Sequence, residues 1–143
     1  MAMPKTRNTL MYEPAAVSTP GWQLWTGRVL TALTVLFLLF DAAGKLMMPP
    51  FVVEAFGRLG FPVALGMTLG VILTASTILY AIPRTAVFGA VLLTGYLGGA
   101  VAIHMRAGNT LFERIFPVIP GVVIWAGIYL RDARLRAVFP LRR

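Results

Sequence analysis

Four long apolar stretches follow one another along the chain, separated by short segments rich in proline, glycine and charged residues. A helix needs roughly 20 apolar residues to cross the hydrocarbon core of a bilayer, and each stretch is about that long. Helices satisfy their backbone hydrogen bonds internally, as lipid requires. The pattern therefore predicts an all-α membrane protein, a four-transmembrane-helix bundle with spans at about 24–44, 61–82, 84–105 and 113–130.

A short amphipathic helix is predicted between the first and second spans, after two consecutive prolines. Glu54 and Arg58 stand four residues apart on its polar side, where they can pair. Gly60 is a natural C-cap, and Pro62 opens the second span. The apolar side consists of Phe51, Val52, Ala55, Phe56 and Leu59.

Charge divides the chain into three regions: residues 1–19 as an N-terminal tail, 20–130 as the transmembrane domain, and 131–143 as a basic C-terminal tail. Residues 1–18 contain no apolar run that could begin a signal peptide. Lysine and arginine collect on the cytoplasmic side of membrane proteins. Nine of these residues fall on the side of the termini and four on the other, which predicts a multi-pass protein of the bacterial inner membrane with both termini in the cytoplasm.

Composition agrees with this class and excludes several others. The chain is 58% hydrophobic and 13% charged, which leaves no room for a separate soluble domain. The net charge of +8 arises at the ends of apolar segments, so no nucleic-acid partner is expected. With no cysteine and one histidine, the chain offers no thiolate metal site, iron–sulfur cluster or bis-histidine haem site. Any electron transfer would need a bound quinone, a flavin or a partner subunit.

Candidate chemistry in the first span lies on a small and polar stripe formed by Gly27, Thr34 and Asp41, which stand seven residues apart. Lys45 follows Asp41 by one helical turn. A carboxylate at that depth is partly desolvated, and a lysine one turn further out stabilises its charged form. We therefore expect a salt bridge between Asp41 and Lys45 at the extracytoplasmic end of the bundle.

The third span adds Tyr96 near mid-membrane and His104 near the extracytoplasmic edge. Histidine titrates near neutrality, which suits proton transfer or a hydrogen bond to a quinone carbonyl. Asp41, Lys45, Tyr96 and His104 are therefore candidate ligand-binding residues. The alternative is that these charged and polar groups mark the water boundary, with His104 directed toward lipid headgroups or a partner.

Glycines at small-xxx-small spacing allow close approach of helices in membranes. Gly66 and Gly70 in the second span, and Gly95 and Gly99 in the third, have this spacing and are predicted to pack against neighbouring helices. If the Gly95–Gly99 face points into the bundle, His104 points away from its interior, because its helical angle differs by roughly 140–180°.

Several separated motifs resemble the DoxX-like family of small bacterial membrane proteins: FLLFDAAGKL at 37–46, VEAFGRLG at 53–60, YAIPRTA at 80–86, LTGYLGGAVAIH at 93–104 and YLRD at 129–132. The resemblance implies a four-helix membrane protein. It further implies kinship with small subunits associated with thiosulfate:quinone oxidoreductase and terminal oxidase systems. It supplies no set of catalytic residues.

Two functions from different classes follow. The first is an accessory or assembly subunit without catalytic activity of its own, packed against a larger membrane complex, a redox complex being one candidate, or against further copies of itself. The second is a small membrane enzyme or carrier that binds a lipophilic ligand, such as a quinone or a lipid, at the extracytoplasmic end of the bundle.

Overall fold

The structure, a computed structural model, describes residues 20–138. The predicted N-terminal tail and residues 139–143 of the predicted C-terminal tail lie outside the described residues. The described chain is helical, with a 3-10 turn at Val63–Leu65. Its α-helices are α1 (Gly21–Met47), α2 (Pro50–Arg58), α3 (Gly66–Ala81), α4 (Ala86–Arg106), α5 (Leu111–Ile115), α6 (Val118–Arg131) and α7 (Ala133–Val138).

Four helical segments are long and apolar enough to cross a membrane. Their ends fall within three residues of the spans expected from the hydrophobic pattern. The all-α prediction, with a short helix between the first two spans, is confirmed. The four segments are Gly21–Met47, Val63–Ala81, Ala86–Arg106 and Leu111–Arg131.

The long helices form a bundle in which α1 packs against α3 and α6, and α4 packs against the same two helices. Consequently α1 and α4 occupy opposite corners, and they run in the same direction because successive spans alternate in direction. We call the end at which α1 and α4 terminate the α2 end, because α2 lies there. The opposite end, where α3 and α6 terminate, is the Tyr80 end.

Two left-handed residues turn the chain into and out of α2. Met48 ends α1 with φ +48°, and its backbone N–H donates to the Gly44 carbonyl at 2.9 Å. Gly60 follows α2 with φ +60°, and the next N–H, of Phe61, donates to the Phe56 carbonyl at 2.9 Å. This is the bonding expected of a glycine C-cap, so the capping role predicted for Gly60 is confirmed.

The fourth span differs from the single helix predicted over 113–130. It begins earlier, at Leu111, because Thr110 and Glu113 form a capping box in which each side chain bonds the other's backbone N–H. This start leaves Pro117 inside the span, where it lacks a backbone N–H and clashes with the preceding turn. The span is therefore divided into α5 and α6, with a turn between them.

The buried side chain of Tyr80 joins three helices at its end of the bundle. Its hydroxyl donates to the Ile124 carbonyl oxygen at 3.2 Å and lies 3.4 Å from Thr31 Oγ1. The Tyr80 carbonyl accepts a hydrogen bond from Arg131 at 3.2 Å, and the Arg131 guanidinium lies 5.5 Å from the Tyr80 ring centroid. Each of these polar groups is satisfied inside an apolar bundle, which holds α1, α3 and α6 together.

Glycines permit the close helix approach around Tyr80. A Cβ added to Gly27 of α1 would lie 2.9 Å from the carbonyl oxygen of Gly127 in α6. A Cβ added to Gly89 of α4 would collide with the backbone of Tyr80. Neither contact leaves space for a side chain, because the opposing atoms belong to the backbone and cannot move aside as a flexible side chain could.

Four glycines were predicted from their spacing to pack against neighbouring helices, and the structure places only two of them in such contacts. Gly66 and Gly70 of α3 lie against the end of α1, where a Cβ on Gly70 would be 3.2 Å from the Leu46 nitrogen. A Cβ on Gly95 or Gly99 of α4 would meet nothing within 4 Å in the described part of the chain. Contrary to the prediction, Gly95 and Gly99 do not pack against another helix within residues 20–138, because their side of α4 borders a cavity.

We predict that Gly27→Ala lowers the free energy of unfolding by about 1–3 kcal/mol, since the added methyl group overpacks against the Gly127 carbonyl. Gly98→Ala is the matched control, because a Cβ at Gly98 would meet nothing within 4 Å in residues 20–138. The control should change stability by no more than about 1 kcal/mol. Unfolding in detergent micelles measures both changes, and equal effects would contradict the close contact of α1 and α6.

Candidate functional site

A cavity of about 880 Å³ lies at the α2 end, between the last turns of α1, the last turns of α4 and the beginning of α6. Helix α2 covers it. The cavity exists because α1 and α4 stand at opposite corners of the bundle and do not fill the space between them. Its lining is predominantly apolar and includes the aromatic rings of Phe37, Phe40, Phe51, Phe56, Phe61 and Phe116.

All four candidate ligand-binding residues line this cavity. Asp41 and Lys45 come from α1, whereas Tyr96 and His104 come from α4. The two pairs are more than fifty residues apart in sequence, and the parallel course of α1 and α4 brings them to the same end. The structure therefore places few polar groups on an otherwise apolar wall, an arrangement typical of small-molecule sites.

The predicted salt bridge between Asp41 and Lys45 is confirmed. Lys45 Nζ donates to Asp41 Oδ1 at 2.6 Å. The Lys45 side chain is 18% exposed and that of Asp41 43% exposed, so the lysine is the more enclosed partner. A lysine held in this way needs its carboxylate, because the pairing offsets its desolvation. The pair contributes no net charge to the cavity.

Tyr96 extends the polar set toward the interior of the bundle. It is partly buried, and its hydroxyl lies within electrostatic range of the Asp41 carboxylate. Among residues 20–138 the hydroxyl has no hydrogen-bond partner, which leaves its proton and lone pairs for a molecule in the cavity.

His104 lies eight residues beyond Tyr96, or roughly 12 Å further along α4. Its Nδ1 is 2.7 Å from Asn109 Nδ2. The carboxylate of Glu113 lies within electrostatic range of both His104 and Arg58. His104 therefore forms the outer polar boundary of the cavity, next to a charged rim.

His104 was expected to point away from the interior only if Gly95 and Gly99 face a neighbouring helix, and within residues 20–138 that condition is not met. The cavity occupies a wide sector of α4 in which Tyr96 and Ile103 are central. The two glycines line one side of that sector, and His104 lines the other. The absence of side chains at Gly95 and Gly99 contributes directly to the volume of the cavity.

Helix α2 covers the cavity with the apolar side that its periodicity predicted. A hydrogen-bonded anchor holds its far end, since Arg106 Nη2 donates to the carbonyls of Leu59 at 3.2 Å and Gly60 at 3.3 Å. The expected Glu54–Arg58 ion pair is wrong: within residues 20–138 these two side chains form no salt bridge. The residues of α2 and its end that line the cavity are Phe51, Val52, Ala55, Phe56 and Leu59.

The sequence did not predict that Gly95 and Gly99 line the site, that Asn109 contacts His104, or that α2 covers the cavity. A usable signal existed for Asn109, because Gly108 marks the end of α4 and the residue after such a glycine folds back on the helix. In the described part of the chain, no three histidine or acidic side chains cluster closely enough to hold a metal ion.

We predict that Lys45→Met lowers the free energy of unfolding by about 1 kcal/mol, because it leaves the Asp41 carboxylate without its partner. Adding Asp41→Asn should restore part of the loss, giving a coupling of about 0.5 kcal/mol or more. The matched control is the cycle Glu54→Gln with Arg58→Met, in which the effects should add. Detergent unfolding of the single and double variants measures both cycles, and additivity for Asp41 and Lys45 would contradict a stabilising pair.

Comparison with known proteins identifies the family of the chain but no individual relative. No curated protein matches the chain, and no solved structure matches it. The model of the DoxX-like family matches residues 29–127, which include α2, α3, α4 and all four polar residues of the cavity. With its four apolar membrane-spanning helices, the chain is a multi-pass integral membrane protein that belongs to the DoxX-like family.

Proposed function

We propose that this membrane protein binds a neutral lipophilic ligand with a polar head, such as a quinone, in the cavity at the α2 end. One observation carries the proposal: Asp41, Lys45, Tyr96 and His104, distant in sequence, all line a single apolar cavity. The proposal favours a carrier or small membrane enzyme over a purely structural subunit.

The size of the cavity supports a ligand larger than water. Its volume of about 880 Å³ lies within the range of roughly 300–1,000 Å³ that holds small molecules and cofactors. The phenylalanine rings provide apolar and aromatic contacts for a ring or an isoprenoid chain. The polar groups are few and directional, as required to orient a ligand head.

The charge of the cavity favours a neutral head over a phosphate. Lys45 is the cation of the lining, and its ammonium is already paired with Asp41 at 2.6 Å. An anionic head would have to compete with that carboxylate. The unpartnered Tyr96 hydroxyl and the ring of His104 instead match carbonyl or hydroxyl oxygens.

The distribution of charge supports an extracytoplasmic site in the bacterial inner membrane. Within residues 20–138, the Tyr80 end carries five arginines and one acid, whereas the α2 end carries four bases and three acids. The excess of basic residues is expected on the cytoplasmic side, together with both termini. The five arginines are Arg28, Arg84, Arg131, Arg134 and Arg136.

A role as an accessory or assembly subunit is the second proposal, and a separate surface supports it. A groove of about 430 Å³ lies between α4 and α6, with Gly98 and Gly121 in its lining. Small residues let a further membrane helix approach closely. A bound quinone and a redox partner are compatible with this role, because the chain has no cysteine and one histidine with which to hold a redox centre of its own.

Extraction with organic solvent tests the ligand proposal. The protein, purified in mild detergent, is extracted and its lipids are identified by mass spectrometry. We predict a neutral isoprenoid or related lipophile at close to one molecule per chain. Detergent-exchanged protein that carries only membrane phospholipid, and that fails to bind an added quinone, would contradict the proposal.

Two leucine variants connect that ligand to the cavity. Gly99→Leu places a side chain in the cavity and should weaken quinone binding by about tenfold or more, since the ligand and the leucine compete for the same volume. Gly98→Leu, one residue away, enters the groove between α4 and α6 and should leave quinone binding unchanged. Titration with a fluorescent or radiolabelled quinone measures both.

Purification from native membranes tests the accessory role. A subunit of a larger complex should co-purify with the same protein partner at constant stoichiometry, and Gly98→Leu should weaken that association because it fills the groove. A monodisperse particle without another protein would contradict this role and leave the ligand proposal intact.

A further inference from the structure

We infer that Asn109 fixes the neutral ring of His104 in the Nε2–H form, so that the cavity presents an N–H donor and selects ligands that carry a hydrogen-bond acceptor. The inference rests on the proposed function for its ligand. Its first part, the position of the proton, concerns the protein alone.

The argument begins with the contact of 2.7 Å between Asn109 Nδ2 and His104 Nδ1. An amide nitrogen can only donate, so Nδ1 is the acceptor. A neutral imidazole carries one N–H, which must then be on Nε2. Because Nδ1 is occupied by the protein, Nε2 is the ring nitrogen available to a molecule in the cavity that His104 lines.

The turn after α4 holds Asn109 in this position. Gly108 has φ +71°, a left-handed conformation that reverses the chain. The backbone N–H of Asn109 then donates to the carbonyl of His104 at 3.3 Å, while its side chain reaches the ring of the same residue. Backbone and side chain thus fix Asn109 to His104 twice, which pre-organises the ring before a ligand arrives.

A carboxylate in place of Asn109 would impose the opposite proton position, and Glu113 is the acid that lies near enough to act on His104. Glu113 is engaged elsewhere. Its Oε2 accepts from the Thr110 backbone N–H at 3.0 Å and from Thr110 Oγ1 at 2.8 Å. The capping box that starts α5 therefore keeps Glu113 away from Nδ1, and Asn109 determines the tautomer.

The consequence is a preference for carbonyl, ether or other acceptor oxygens at this end of the cavity. A buried N–H without an acceptor loses its hydrogen bond to water, so a ligand without such an oxygen binds less tightly. The Tyr96 hydroxyl offers a second donor deeper in the cavity. An oxidised quinone, whose polar atoms are all acceptors, matches these two donors.

The single histidine of the chain makes the test direct. Protein labelled with ¹⁵N-histidine, carrying an affinity tag without histidine, is studied without ligand at alkaline pH, where a histidine ring is neutral. Long-range ¹H–¹⁵N spectra assign the protonated nitrogen. We expect Nε2–H in the wild type and Nδ1–H in the isosteric Asn109→Asp, because a carboxylate can only accept. Glu113→Gln is the control and should retain Nε2–H.

Binding of decylubiquinone at the same alkaline pH, where the ring is neutral, supplies the second measurement. Asn109→Asp should weaken it by about tenfold, since an Nε2 lone pair then opposes the carbonyl oxygen, and Glu113→Gln should change it little. An Nδ1–H wild type, or a tautomer unaffected by Asn109→Asp, overturns the inference. If the tautomers follow expectation and wild type binds no quinone, the assignment of Asn109 stands, and the proposed ligand selection fails together with the proposed function.

Discussion

The hydrogen bonds of the Tyr80 side chain, buried among α1, α3 and α6, are the constraint on which the rest of the structure depends. A phenolic hydroxyl in an apolar bundle must find partners within the protein, and Thr31 and Ile124 provide them from two different helices. The contact is reached only because Gly27, Gly89 and Gly127 remove the side chains that would separate the backbones. One end of the bundle is thereby closed, and the space between the corner helices remains at the other end.

This difference between the two ends determines where polar side chains can line a cavity. The open end coincides with the ends of α1 and α4, so ionisable groups reach the cavity without crossing the middle of the membrane. Asp41 and Lys45 neutralise each other there, while Tyr96 and His104 retain atoms for a ligand. A cover of nine residues, α2, encloses these groups against the apolar wall, and its length is set by a left-handed residue on each side.

Local sequence signals predicted much of this arrangement. Span length and the proline and glycine positions located the helices, and spacing together with the depth of Asp41 in its span paired it with Lys45. Spacing without such depth also suggested Glu54 and Arg58, which do not pair in the described residues. Spacing could not say which glycines face a helix. In lipid both the interior and the exterior of a bundle are apolar, so Gly66 and Gly99 have similar neighbours in sequence and opposite surroundings in the fold. The division of the fourth span depended on Thr110 and Glu113, a capping signature that moved its start.

At Gly95 and Gly99, a larger side chain would increase the stability of the helix but reduce the volume of the cavity. Alanine in their place would favour the helix by up to about 1 kcal/mol each, and larger apolar residues would gain contacts across the cavity. Selection for a robust fold alone would therefore fill the space. A relative with larger side chains at these two positions would have a smaller cavity within the same four-helix frame, so the side-chain volume there measures how much of the cavity a given sequence retains.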